Sequence, residues 1–87
     1  MLGTNFPISD YYRENILDAE TVSRGGGWWT AVLLIADPAT KSPFVAFFRW
    51  KLTKAGWKTQ KEISFRKKDH IKQVIDVMLR FMDRLEA

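Results

Sequence analysis

Cysteine is absent from this 87-residue chain, which excludes disulfides, thiolate zinc sites, iron–sulfur clusters and cysteine nucleophiles. A single histidine, His70, leaves nothing for a His-rich metal cluster. No apolar run approaches the ~18 residues of a membrane span. The opening MLGTNFPISDYY has no charged n-region followed by an apolar stretch. There is no internal repeat, no low-complexity tract and no Pro/Ser-rich linker. The three glycines Gly25–Gly27 lack the surrounding GxGxxG or GxxxxGK spacing of a phosphate loop. Catalytic groups are equally scarce. His70 sits beside Asp69, too close in sequence to form a base–orienter pair, and no paired carboxylates, serine elbow or metal triad can be assembled. These absences lead us to expect a non-enzymatic protein without cofactor, metal or small-molecule substrate. They also lead us to expect a soluble one, cytoplasmic and nucleoid-associated if the source is prokaryotic.

What remains is ordinary for a globular protein: 46% hydrophobic and 28% charged residues. The length allows one domain. So small a domain buries a modest share of its surface, and with no disulfide or metal to help, self-association is a natural remedy. Four Trp, six Phe and two Tyr are more large rings than one thin core easily hides.

Charge is unevenly spread. Between Arg49 and Lys72 stand nine basic residues and two acids, a local net charge of +7, whereas the rest of the chain sums to −3. Such a stretch suits a polyanionic partner, because a single-sign field otherwise costs self-repulsion.

Hydrophobic periodicity divides the chain into an N-terminal arm (1–18), an antiparallel sheet (19–66) and a C-terminal helix (67–86). The arm carries a cap candidate at Ser9 or Asp10 and room for a short helical turn. A first strand over Ala19–Arg24 ends at the Gly25–Gly27 turn. Trp28–Asp37 is apolar on both parities, as in a strand covered on both faces. In Phe44–Lys54 the alternation is informative: Phe44, Ala46, Phe48, Trp50 and Leu52 share one face, and Val45, Phe47, Arg49, Lys51 and Thr53 the other. Past the Ala55-Gly56 turn, Trp57–Arg66 reads as a fourth strand. Simple alternation there puts Trp57, Thr59, Lys61, Ile63 and Phe65 on one face, with Trp57 and Lys61 reachable by a ligand.

The tail KDHIKQVIDVMLRFMDRLEA is strongly helical. Its apolar arc spans about 200°, whereas packing on one surface needs little more than ~100°. One side can lie on the sheet, and the surplus needs a cover. A second copy of the helix, through Val74, Met78, Phe81 and Leu85, is the simplest one; folding of the N-terminal segment over the helix is the alternative. Arg66, Lys67 and Lys68 stand at the positive end of the helix dipole, where an anion rather than a cation is favoured. A phosphate held among them and the free helix N–H groups would reverse that penalty.

The fold class is therefore α+β, a four-stranded antiparallel sheet with one long C-terminal amphipathic helix (β-β-β-β-α), the helix on one sheet face and the other face open. On the open face Phe47, Arg49 and Lys51 would interleave rings with charge, with Trp57, Lys58 and Lys61 nearby. Unpaired bases stack on rings while Lys and Arg track phosphates, so single-stranded DNA or RNA suits such a surface. Duplex DNA would instead want a protruding recognition helix or β-ribbon, and the C-terminal helix is too apolar for that.

The segment Ala46–Met78, AFFRWKLTKAGWKTQKEISFRKKDHIKQVIDVM, resembles the single-stranded-DNA-binding family of the transcriptional coactivator positive cofactor four, which shares its architecture with the plant Whirly proteins. Phe47, Arg49 and Trp50 stand for the family's strand with its Arg and aromatic, and Lys54-Ala55-Gly56 for the turn. Lys61-Glu62-Ile63-Ser64-Phe65 stands where that family has Lys-Gly-Ile-Ser-Leu, and Ile71, Val74 and Met78 fall in the helix. Glu62 replaces the small residue, and Lys67-Lys68-Asp69 replaces the usual Pro-Glu helix opening. The resemblance implies a helix-mediated homodimer and binding of single strands with little sequence preference, in a transcriptional or DNA-maintenance role. It implies contacts from Arg49, Lys51, Lys54, Trp57, Lys58 and Lys61, with Phe47 and Trp29 as further ring candidates. Two alternatives are a dimeric adaptor whose basic sheet binds an acidic protein, and a double-stranded-RNA-binding domain in which Lys67 and Lys68 grip phosphates.

Overall fold

Two turns set the topology. Gly26 and Gly27 both have positive φ, 60° and 83°, the backbone that a two-residue hairpin loop needs and that only glycine adopts without strain. They join β1 (Ile16–Gly25) to β2 (Trp28–Ala36). Lys54-Ala55 joins β3 (Pro43–Thr53) to β4 (Gly56–Phe65), fastened by Thr53 Oγ1, which donates to the Gly56 carbonyl at 2.7 Å. Between β2 and β3 runs the Asp37–Ser42 loop, where Asp37 accepts the Ala39 N–H at 2.9 Å. The result, in a computed structural model that describes residues 6–85, is a four-stranded antiparallel meander in the order β1-β2-β3-β4. A short helix α1 (Asp10–Arg13) precedes the sheet and the amphipathic helix α2 (Lys68–Met82) follows it. The arm is shorter than expected, since β1 begins at Ile16. Positions 1–5 and 86–87 lie outside the described residues.

The core sits on one face. Trp29, Ala31, Leu33 and Ile35 of β2 and Phe44, Ala46, Phe48 and Trp50 of β3 alternate inward and are almost wholly buried. The β3 pattern matches the alternation in the sequence except at Leu52, which is 51% exposed. The cover over this face is the N-terminal arm. Phe6 stacks on Trp29 at 5.3 Å and reaches Trp50 at 6.0 Å. Ile8 is buried, and Tyr12 meets the Phe44 ring edge-on at 5.8 Å. Each such ring pair contributes about 0.5–1.5 kcal/mol beyond its buried area. Arg13 holds the arm's bend by donating from Nη2 to the Ile8 carbonyl at 2.7 Å.

The helix lies against the opposite face, which corrects the expected layering. We expected α2 behind the Phe44–Trp50 face and the Phe47 face open. Instead α2 stands over the far end of the Phe47 face, where Ile71, Val74, Ile75 and Met78 confront Val45, Phe47, Ile63 and Phe65 across an apolar cleft of about 310 Å³. The arm's three apolar side chains already fill the other face. Ile63 and Phe65 then offer α2 an apolar seat immediately before the two-residue link Arg66-Lys67. Among the described residues, Phe6, Ile8 and Tyr12 of the arm pack on the sheet face away from α2. Beyond Met78 the helix's apolar side is lined by helix residues alone, and Met78 and Leu85 are 66% and 79% exposed. Among the described residues no helix is long and apolar enough to cross a membrane.

Candidate nucleic-acid interface

A bulge in β4 decides which side chains meet. Arg49 pairs with Lys61 and Trp50 with Thr59, so Gln60 is an extra residue opposite β3. A bulge of this kind shifts the side-chain phase by one. Downstream of it Lys61, Ile63 and Phe65 share the face of Arg49 and Phe47. Upstream, Lys58 joins that face opposite Lys51, while Trp57 pairs with Leu52 and turns to the other side. Simple alternation, which grouped Trp57 with Lys61 and set Lys58 apart, is therefore overturned.

The consequence is two short rows of side chains across three strands. One row is Trp28, Lys51 and Lys58; the other is Thr30, Arg49 and Lys61. The Arg49 guanidinium lies 4.2 Å from the centre of the Trp28 ring and the Lys51 ammonium 5.0 Å from it. Both are cation–π contacts. Directly opposed like charges, here Arg49 with Lys61 and Lys51 with Lys58, destabilise a sheet. No ion pair among the described residues relieves them.

The two hairpin turns extend this field, because they fall at the same end of the sheet. Residues 21–30 and 47–61 form that end and carry Arg24, Arg49, Lys51, Lys54, Lys58 and Lys61 but not a single acid. Lys54 sits in the β3–β4 turn. Arg24 lies on the reverse side, 4.0 Å over Trp29 and 5.4 Å from Trp57, where it caps the core.

The other expected site residues are placed differently. Trp57 is partly buried, packs edge-on against Trp29 at 5.5 Å and lies on the side of the sheet away from Arg49 and Lys61. Trp29 is buried and donates from Nε1 to Thr21 Oγ1 at 3.1 Å. Phe47 shares the face of Arg49 but lies beneath α2. Lys67 and Lys68 are exposed at the opposite end of β4, about 20–25 Å from Lys58 along the strand. They do not join the hairpin-end cations. Arg66, expected beside them, is engaged elsewhere: it pairs with Asp37 at 3.1 Å and lies 4.3 Å over the Phe44 ring. The Ala39 N–H holds the Asp37 carboxyl below its ordinary value; burial opposes it, and the Thr40 N–H and Arg66 assist to a lesser degree. Val74 faces the chain's own sheet, whereas Met78, Phe81 and Leu85 are exposed.

Trp28 is the ring the sequence reading missed. Its signal lay in register: a two-residue loop at Gly26-Gly27 fixes the β1–β2 hairpin, and the β2–β3 pairing then sets Trp28 beside Lys51. Among the described residues no group of three His, Asp or Glu side chains is arranged to hold a metal ion. Chemically the arrangement can bind a polyanion that carries flat rings: one partly buried ring, two cations against it, Lys58 and Lys61 one strand across from them, and Lys54 in the adjoining turn. No family model, curated protein or solved structure matches the chain.

Proposed function

We propose that this protein binds single-stranded nucleic acid, DNA in preference to RNA, at the hairpin end of its sheet, as a homodimer joined through α2. The observation that carries the reading is the pair of like-charge oppositions, Arg49 with Lys61 and Lys51 with Lys58, around Trp28. A sheet that sets cations opposite one another loses stability unless an anion sits between them. Backbone phosphates would supply that anion, and a base would stack against the Trp28–Arg49 pair. The same surface has no protruding helix to enter a duplex groove. This role fits the resemblance of Ala46–Met78 to the positive-cofactor-four family, with Trp28 in place of Trp57 as the ring. Binding rather than catalysis is the activity.

The test is binding of labelled oligonucleotides between 50 and 200 mM salt. Five phosphate contacts, from Arg49, Lys51, Lys54, Lys58 and Lys61, give an expected log–log slope of about −3.5 for single strands. A preference for duplex RNA would point to the double-stranded-RNA reading. Absence of binding to any oligonucleotide, together with retention on an acidic polypeptide, would point to the adaptor.

A further inference from the structure

The helix and the sheet each leave an apolar area uncovered on the same side of the molecule. Past Met78 the apolar flank of α2 ends in Phe81, Met82 and Leu85, all exposed. On the sheet, Val32 and Leu34 form the floor of a shallow depression over β1 and β2, rimmed by Asp18 and Glu20. Leu34 there is 37% exposed. One charge at the helix end, Arg84, is opposite in sign to the Asp18–Glu20 rim, although Asp83 stands next to it in the chain. Arg84 lies beside the helix patch, its guanidinium 5.9 Å from the Phe81 ring, and no ion pair among the described residues includes Arg84, Asp18 or Glu20. Surface area points the same way. The chain exposes 6804 Å², against roughly 5,300 Å² for a compact monomer of its mass. That excess is enough to cover the ~800 Å² that each partner buries in a standard interface.

We infer that two copies clasp one another, the last turns of α2 of each lying in the other's β1–β2 depression, with Arg84 of one beside Asp18 and Glu20 of the other. Resting on the dimer of the proposed function, this fixes which surfaces meet. The acidic rim is then used up in the interface, and the hairpin end, which has no acid, stays free on both copies.

Light scattering or sedimentation equilibrium of the full chain tests this. Arg84→Glu alone, or Asp18→Lys with Glu20→Lys, should each weaken the dimer by about fivefold, since each turns an attraction into a repulsion. The combined charge swap should restore it to within about twofold. The chain has no cysteine, so Leu34→Cys mixed with Met82→Cys gives a second, independent readout: a disulfide between the two variants forms under mild oxidation. A stable dimer whose affinity ignores both reversals and forms no such disulfide overturns the clasp while leaving dimerisation through α2 standing. A wild-type chain that stays monomeric at several hundred micromolar overturns both.

Discussion

Replacing Lys58 and Lys61 together by Gln should make the protein more stable and a poorer binder. The substitution removes both like-charge oppositions, Lys51 with Lys58 and Arg49 with Lys61. Cross-strand pairs are worth about 0.2–1 kcal/mol each, so relief of two repulsions should raise unfolding stability by about 0.4–2 kcal/mol at low salt. Neither lysine is buried, so no packing is lost. Binding moves the other way. Two of five phosphate contacts disappear, taking the salt slope from about −3.5 to about −2.1. At 0.1 M salt the release of two fewer counterion equivalents weakens affinity about 25-fold. Urea unfolding gives the first number, and fluorescence anisotropy of a labelled oligothymidylate across 50–200 mM salt gives the second. An unchanged slope, or a variant less stable than the parent, would refute the reasoning, because either would mean that the facing lysines do not repel one another at a phosphate-binding surface.

Trp57→Ala and Trp28→Ala should separate core from site. The first should cost about 2–3 kcal/mol, somewhat less than truncation of a fully buried ring, and the second about 1–2 kcal/mol, the worth of its two cation–π contacts, while weakening oligonucleotide binding about tenfold, in keeping with one lost stack. Met78→Asp should halve the mass in solution yet keep a cooperative melt, because in the monomer that side chain is mostly exposed; an unchanged mass would exclude α2 as the interface. Acid sensitivity should run through Asp37. Its carboxyl titrates lower in the folded chain than in the unfolded one, so it stabilises above its unfolded pKa, and that contribution is lost as pH falls through the folded value, on the acid side of pH ~4. Asp37→Asn should flatten the urea midpoint over pH 3–6. Arg66→Ala should flatten it less, since the Ala39 N–H is the larger cause.

Much of the fold was legible in the chain. The helix at 68–82, the glycine turn and the β3 inward set Phe44, Ala46, Phe48 and Trp50 all follow from periodicity and turn chemistry. The layering was not, because β2 and the far half of β3 are apolar on both parities. Either face could have received the helix, and the decision rested with the small set Phe6, Ile8 and Tyr12. The candidate site was half legible. Arg49, Lys51, Lys58 and Lys61 could be named from charge alone, but their grouping with Trp28 rather than Trp57 depends on Gln60, and nothing about a glutamine in a strand announces a bulge. Lys67 and Lys68 enter the expected site through their place at the positive end of the helix dipole, and most of the length of β4 separates them from the hairpin end.

The extra residue at Gln60 works as a phase slip between two readings of one strand. Take it out and the pairs on either side, Arg49 with Lys61 and Trp50 with Thr59, would follow one another in regular alternation, with Trp57 and Lys58 on the faces they hold now. An added residue elsewhere in β4, with no bulge to absorb it, would be the larger step, since it would turn the indole out among the cations and the ammonium in toward the tryptophan core.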